Sequence, residues 1–276
     1  MKVSTPKESL TVTRTLERGL ALLELVAKGG GLSLIEISRK ASMSPSTALR
    51  LLDTLRSRHF VEKDTETGLY RVAIGAFEIG SCYVRQNGMS ESARIVLRRV
   101  SNEIGQTANL AILDKSDIVY IERLEAEGPL SVRGRWGERL PAHATAAGKA
   151  LLAWSWASRC DEVLGPAPFA SMTPRTITDR DVMMTELRAI RERGWASDEE
   201  ESIPGLRCIA APVLERDGGA RAAISVSMPA RALLPEEQAA IVKAVCRASN
   251  RLSVMLGWQQ QTVAPLASDT HSVFVD

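Results

Sequence analysis

The sequence predicts an α+β chain in two unequal parts: a helical front carrying one short hairpin, and a longer rear in which antiparallel strands are mixed with helices. Three observations predict it. Helical periodicity with well-placed caps fills residues 13–58, alternating segments flank a Gly-containing turn within 60–72, and further alternating pairs recur within 109–123 and 208–228. At roughly 100–200 residues per domain, 276 residues accommodate two cores.

An apolar fraction of 45% and a formal charge of +2 exclude a mainly disordered chain. No run reaches the roughly 18 apolar residues of a membrane helix, since 151–156 gives way to charge at 159–162. Lys2 and Lys7 are followed by Thr and Glu rather than an apolar core, so no secretory signal is predicted and a cytoplasmic location is expected. Cys82, Cys160, Cys208 and Cys246 are far apart with no C-x-x-C pair, which predicts neither a metal site nor a redox pair but small buried hydrophobes.

Thr13 or Thr15 can cap a first helix whose apolar positions Leu16, Leu20, Leu23 and Val26 follow helical spacing, and Gly29-Gly30-Gly31 ends it. Ser33 and Glu36 form a capping box for a short second helix running to about Lys40. Ser44 is the N-cap of a third helix reaching about Arg58, with Pro45 at its first position, where the missing amide proton costs nothing. Ala48, Leu51, Leu52 and Leu55 share one side of that helix; Ser46, Thr47, Arg50, Asp53 and Thr54 share the other.

Small hydroxyls and an Arg on the first turns of a second helix, after a short turn, are what insertion into a DNA major groove requires, because bulky side chains would hold the backbone off the base edges. A helix-turn-helix is therefore expected, with an ordinary αα-hairpin as the alternative. Segments 60–63 and 69–72 around the turn at 64–68 add a wing. Asp64 and Glu66 repel phosphate, so the wing is expected to contribute through Thr65, Thr67 and backbone amides. Arg14 and Arg18 on the first helix are candidates for backbone contact, or else merely solvated. Residues 1–80 carry +3 and 81–276 carry −1, too mild an asymmetry to establish nucleic-acid binding alone.

Residues 74 to about 88 read as a connecting helix with apolar Phe77, Ile79 and Tyr83, and 90–105 as a helix with apolar Ile95, Leu97, Val100 and Ile104. Strands at 109–113 and 118–123 flank the turn Asp114-Lys115-Ser116-Asp117, and a further strand is expected at 130–135. Helices follow at 145–155, 156–164 and 178–193, the last ended by Gly194. A second strand pair at 208–215 and 221–228 turns at Asp217-Gly218-Gly219, and a closing helix spans 235–258 before a loose tail.

The small residues of 144–149 at a helix start leave backbone amides open to a carboxylate, as an anion cradle; tight helix–sheet packing is the alternative. Period 2 puts Cys208 and Ala210 on one face of their strand, and Ser225 and Ser227 on one face of theirs. Such serines either meet a ligand or bond to backbone. Trp136, just before the cradle, could supply an aromatic wall or sit in a core.

The segments RGLALLELVAKGGGLSLIEIS, SPSTALRLLDTLRSRHFVEKDTETGLYRV, PAHATAAGKALLA and GWASDEEESIPGLRCIAAPV together resemble the isocitrate-lyase-regulator (IclR) family of bacterial transcription factors, over roughly residues 12–258. The family usually has Gly where His59 stands, and often Gly at Ala73. The resemblance implies a winged helix-turn-helix domain at 1–73, a linker helix at 74–89, a GAF-like effector-binding domain at 90–258 whose antiparallel sheet walls a ligand chamber, and a tail at 259–276. It further implies effector contacts from the amides of Thr145, Ala146 and Ala147 and from Asp198, Cys208, Ser225 and Ser227, and dimers that can pair into tetramers.

The expected function is therefore a DNA-binding transcriptional regulator, repressor or activator, whose affinity for a double-stranded operator is set by a small organic acid in the rear domain, with no cofactor. Ser44, Ser46, Thr47 and Arg50, with Arg14, Arg18, Thr65 and Thr67, are the candidate DNA contacts. Two alternatives use Cys208: as a redox-sensing thiol, or as a hydrolase nucleophile with His143 as base and Asp198 as orienter. The second is thin, since the histidines are only His59, His143 and His271 and no G-x-S-x-G, H-E-x-x-H or P-loop sequence accompanies them.

Overall fold

A computed structural model of the chain describes residues 12–86, 90–126, 137–155, 157–232 and 235–259. The chain divides into two compact units, Met1–Asn87 and Gly88–Asp276. In the first, α1 (Arg14–Gly29) follows Thr13, whose side chain makes no capping bond, and ends at Gly30 in the left-handed region. The capping box at the start of α2 (Leu34–Lys40) is complete: the Ser33 hydroxyl accepts the Glu36 amide at 3.3 Å, and Glu36 Oε2 accepts the Ser33 amide at 2.9 Å. Ser44 caps α3 (Pro45–Ser57). The strands β1 (Val61–Lys63) and β2 (Tyr70–Val72) pair antiparallel, and Leu32 bridges to Tyr70, tying the α1–α2 connection to the hairpin. Leu22, Val26, Ile37, Ala48, Leu52, Val61 and Tyr70 form the core. This is a winged helix, and α4 (Ile74–Gln86) follows within the same unit.

α3 ends in a Schellman motif. The His59 amide donates to Arg56 O at 3.0 Å and the Phe60 amide to Leu55 O at 2.9 Å, which turns His59 to φ +58. This is the position where the family's Gly is usual, and its reason is the left-handed backbone. Across the turn, the Gly75 amide donates to His59 O at 2.8 Å, and a Cβ on Gly75 would lie 2.7 Å from that oxygen.

The second unit is built from α5 (Ser90–Ile104), β3 (Thr107–Asp114), β4 (Asp117–Leu124), β5 (Arg139–Pro141), a short 3-10 helix at Ala142–Ala144, α6 (Ala146–Ala153), α7 (Ala157–Leu164), α8 (Arg180–Arg193), β6 (Ala196–Glu199), β7 (Leu206–Leu214), β8 (Ala220–Pro229) and α9 (Pro235–Met255). The six strands form one antiparallel sheet in the order β5-β4-β3-β8-β7-β6. Strand alternation divides their side chains between two cores. Ala108, Leu110, Ile209, Ala211, Ile224 and Val226 face α5 and α9; Ala111, Tyr120, Ala196, Cys208, Ala210 and Ala223 face α6, α7 and α8.

The short strands β5 and β6 were not expected: one has three residues and the other, Ala-Ser-Asp-Glu, carries two acids, so neither shows a strand's apolar alternation. The strand expected at 130–135, Trp136, the last residues of the connecting helix at 88–89 and the tail beyond Gln259 lie outside the described residues. No helix among the described residues is long and apolar enough to cross a membrane.

Candidate DNA interface and effector chamber

On α3 the buried Ala48 and Leu52 fix which side looks outward, and Ser46 and Arg50 lie exposed on it. Ser44 Oγ accepts the Thr47 amide at 3.3 Å and stands 3.1 Å from Ser46 Oγ and 2.9 Å from Thr47 Oγ1, so three hydroxyls are gathered at the helix start. Among the described residues no hydrogen bond or ion pair engages the guanidinium groups of Arg14, Arg18 or Arg50; Arg14 and Arg50 are exposed and Arg18 is half-buried. The wing corrects one expectation. Asp64 Oδ1 accepts the amides of Glu66 and Thr67, both at 2.9 Å, and these bonds hold its carboxyl below the usual range. Those two amides are therefore spent inside the turn, and the Thr67 hydroxyl is engaged there too, accepting the Leu69 amide at 3.4 Å and bonding the Asp64 carboxylate, which leaves Thr65 as the wing's freest polar side chain.

In the second unit, β-register rather than sequence proximity assembles the candidate site residues. Asp198 lies across from Cys208, Cys208 across from Ser227 and Ser227 across from Thr107; the next row on the same face runs Ala196, Ala210, Ser225, Asn109. The sheet thus brings together Asp198, Cys208, Ser225 and Ser227. α6 packs on this same face, where Ala146 and Ala147 share a core with Cys208, Ala210 and Ala223. Thr145 Oγ1 accepts the Gly148 amide at 3.1 Å, so the cap engages that amide rather than those of Ala146 and Ala147, whereas the Thr145 amide, also expected to face a carboxylate, donates instead to Ala142 O at 3.4 Å. Gly148 also bears out the packing reading of the small residues: a Cβ there would lie 2.1 Å from Ala142 O.

The polar row is shielded. Asp198, Asn109, Ser225, Ser227 and Thr145 are all buried. Ser227 Oγ accepts from Asn109 Nδ2 at 3.2 Å and from the Cys208 thiol at 3.3 Å. Asn109 Oδ1 and Ser225 Oγ are left without a partner among the described residues, each at a cost of about 1–3 kcal/mol. Beside the row, Lys149 is 1% exposed and pairs with Glu201 at 2.5 Å. Burial pushes the Glu201 carboxyl up, opposed by Lys149, and pushes Asp198 up against the bonds it accepts from the Ser202 hydroxyl and the Glu201 amide.

Neither alternative use of Cys208 finds its geometry. Burial pushes the thiol well up, so it stays protonated and donates to Ser227, whereas a sensor or nucleophile needs a thiolate. His143 Nε2 donates instead to Ala170 O at 2.9 Å, and Asp198 is occupied by Glu201 and Ser202. Nucleophile, base and orienter are each committed elsewhere. An open groove of about 650 Å³ between α5 and α9 lies on the sheet's other side and shares no residue with the row.

Sequence reasoning passed over Asn109, Lys149 and Glu201. The signal for the first two was a polar residue inside an apolar run, Asn-Leu-Ala-Ile-Leu and Ala-Gly-Lys-Ala-Leu. For Glu201, one acid among three consecutive glutamates, no signal marked it as buried.

A winged helix joined in one chain to an antiparallel sheet domain defines a class of DNA-binding regulators. Comparison with known proteins identifies which one. Residues 15–65 match the family described as IclR helix-turn-helix domain, and residues 81–254 match Bacterial transcriptional regulator IclR C-terminal. The chain belongs to the IclR family of bacterial transcriptional regulators. It is 38% identical over 87% of its length to the HTH-type transcriptional regulator BhcR of Paracoccus denitrificans, covering 86% of that protein. It is 34% identical to the HTH-type transcriptional repressor AllR of Klebsiella pneumoniae, over 90% of this chain and 92% of that one. Among solved structures, the Thermotoga maritima IclR superposes with a TM-score of 0.75 at 29% identity, covering 88% of this chain and 99% of the other. An IclR homolog from Microbacterium hydrocarbonoxydans, complexed with 4-hydroxybenzoate, gives 0.76 at 25% identity, covering 88% and 98%. These relatives are named as regulators and repressors, and the chain is a transcriptional regulator rather than an enzyme.

Proposed function

We propose that this regulator binds a double-stranded operator through Ser44, Ser46, Thr47 and Arg50, supported by Arg14, Arg18, Thr65 and Thr67, and that a small organic acid held in the rear domain sets its operator affinity. The acid's carboxylate meets the amides of Ala146 and Ala147 beside Thr145, while Asp198, Cys208, Ser225 and Ser227 line the sheet side. The domain assignment is 1–73 for DNA, 74–89 for linkage and 90–258 for the effector. The observation that carries this reading is the shielded polar row on the α6 face, with two polar atoms unpaired. That a homolog was crystallised with 4-hydroxybenzoate supports the organic-acid class.

The working form is a homodimer, or a dimer of dimers. Operator half-sites lie about 34–36 Å apart or at multiples of that, so two winged helices must be held at a set spacing. A ligand that binds one subunit arrangement better shifts the population toward it, and operator affinity follows without any change in a base-contacting residue. The test is Ser225→Ala combined with Ser227→Ala. The double variant is expected to keep its operator affinity and lose its response to the acid that stabilises the parent in a thermal-shift screen. A response that survives both changes places the effector elsewhere.

A further inference from the structure

We infer that the open groove between α5 and α9 is a docking surface for the chain's own C-terminal segment, residues 260–276, with the apolar Val273-Phe274-Val275 seated among its side chains. The groove holds about 650 Å³ and shares no residue with the polar row, so the inference stands apart from the effector reading. Val96, Val100 and Ala248 form its buried floor, while Ile95, Val254 and Met255 stand 56%, 57% and 47% exposed around it. Three large apolar side chains open to water around one concavity call for a cover. The charged lining is lopsided: Arg99, Arg247 and Arg251 stand against Glu103, and Glu103 is already paired with Arg247. The fitting cover is therefore both apolar and anionic.

That charge argues against a second copy. A two-fold contact sets one patch against itself, so the arginines of one groove would face those of the other. Residues 260–276, which lie outside the described residues, have the complementary chemistry: Asp269 and Asp276, no Lys or Arg, and apolar Val263, Leu266, Val273, Phe274 and Val275. They also begin at the right place. Val254 and Met255, in the last turn of α9, line the groove, and Gln260 follows five residues after Met255. From Ala244 to Met255 the groove follows α9 for eleven residues, about 16 Å. The fifteen residues from Gln259 to Phe274 can extend to about 50 Å, enough to turn back and run that length. Tethered this closely, the segment meets the groove at an effective concentration in the millimolar range, an advantage over any free partner.

The experiment is fluorine nuclear magnetic resonance of the full chain labelled with 4-fluorophenylalanine, which reports Phe60, Phe77, Phe169 and Phe274. The Phe274 signal is identified by its loss in Phe274→Leu. It is expected to lie away from the position it takes in a free peptide of residues 260–276, and to move to the free-peptide position in Ile95→Glu and in Arg251→Glu. Both substitutions fall at exposed positions of the groove, and either one serves if the other does not fold. A Phe274 signal at the free-peptide position in the parent chain overturns the inference. So does a displaced signal that neither variant moves, which puts the segment on another surface. A displacement that vanishes on dilution shows the segment in the groove of a second copy and overturns its assignment to its own chain. None of these outcomes bears on the effector reading.

Discussion

Arg50 sits six residues beyond the Ser44 cap, in the second turn of α3, exposed and without an ion-pair partner among the described residues, so its guanidinium is available to a base edge or a phosphate. Arg50→Ala is expected to weaken operator binding by about 1–3 kcal/mol while changing affinity for random DNA far less, read by fluorescence anisotropy at one salt concentration. An equal loss on both DNAs assigns the residue to phosphate. Lys149 presents the opposite case, a charge whose partner is inside. Removing it in Lys149→Met strands Glu201 as a buried carboxylate, and a loss of about 3–5 kcal/mol of folding stability is expected, largely restored by adding Glu201→Leu. The pH dependence has a definite sign. Burial already raises the folded-state Glu201 carboxyl, and without Lys149 it rises further. The folded form then holds a proton that the unfolded form releases, so the single variant loses stability as pH climbs from the ordinary carboxylate range through that raised value. Denaturant melts at pH 5 and pH 7 check it: the single variant should be the more stable at pH 5, by a wider margin than the parent.

Between residues and elements, legibility followed locality. The capping box of α2, the Ser44-Pro45 start of α3 and the Gly194 end of α8 appear where the sequence places them, because each is decided within four or five residues. β5 and β6 did not, since a three- or four-residue strand is stabilised by its neighbour across the sheet rather than by its own alternation. The candidate site was half legible. Ser225 and Ser227 announce themselves by period 2, but Asn109 joins them only through the β3–β8 register, across more than a hundred residues of chain. His59 shows local legibility in its strongest form, for a left-handed C′ residue is expected wherever the family keeps Gly. His59→Gly should accordingly stabilise the winged helix by about 0.5–1 kcal/mol, since the left-handed conformation penalises any Cβ, whereas β-branched His59→Val should destabilise it. Chemical denaturation of both variants against the parent decides this, and a destabilised Gly variant would show that the imidazole itself holds the turn.

At the scale of the whole molecule, the winged helix is well cored yet leaves Ile74, Phe77, Ile79 and Tyr83 exposed along α4, with Phe77 70% exposed. Isolated exposed apolar residues are unremarkable, but on this thirteen-residue helix Ile74 and Phe77 lie together on one side and Ile79 and Tyr83 together on the opposite side, which gives two small apolar patches, one of which a second copy can cover. The choice of occupant follows from what the DNA demands. A single winged helix with a net charge of only +3 in its first eighty residues has little counterion release to draw on, so its affinity for one half-site is modest. Joining two such units converts the second half-site encounter into an intramolecular one, and the gain can reach about 10²–10⁴-fold without a new base contact. Phe77→Glu places a charge in the patch that Phe77 shares with Ile74. It is expected to shift the sedimentation coefficient toward the monomer and to reduce affinity for a two-half-site operator to near that for a single half-site, while leaving the thermal response to effector in place. A variant that remains dimeric and binds the full operator as the parent does would move the dimer contact off α4, and with it the route by which effector occupancy reaches the DNA.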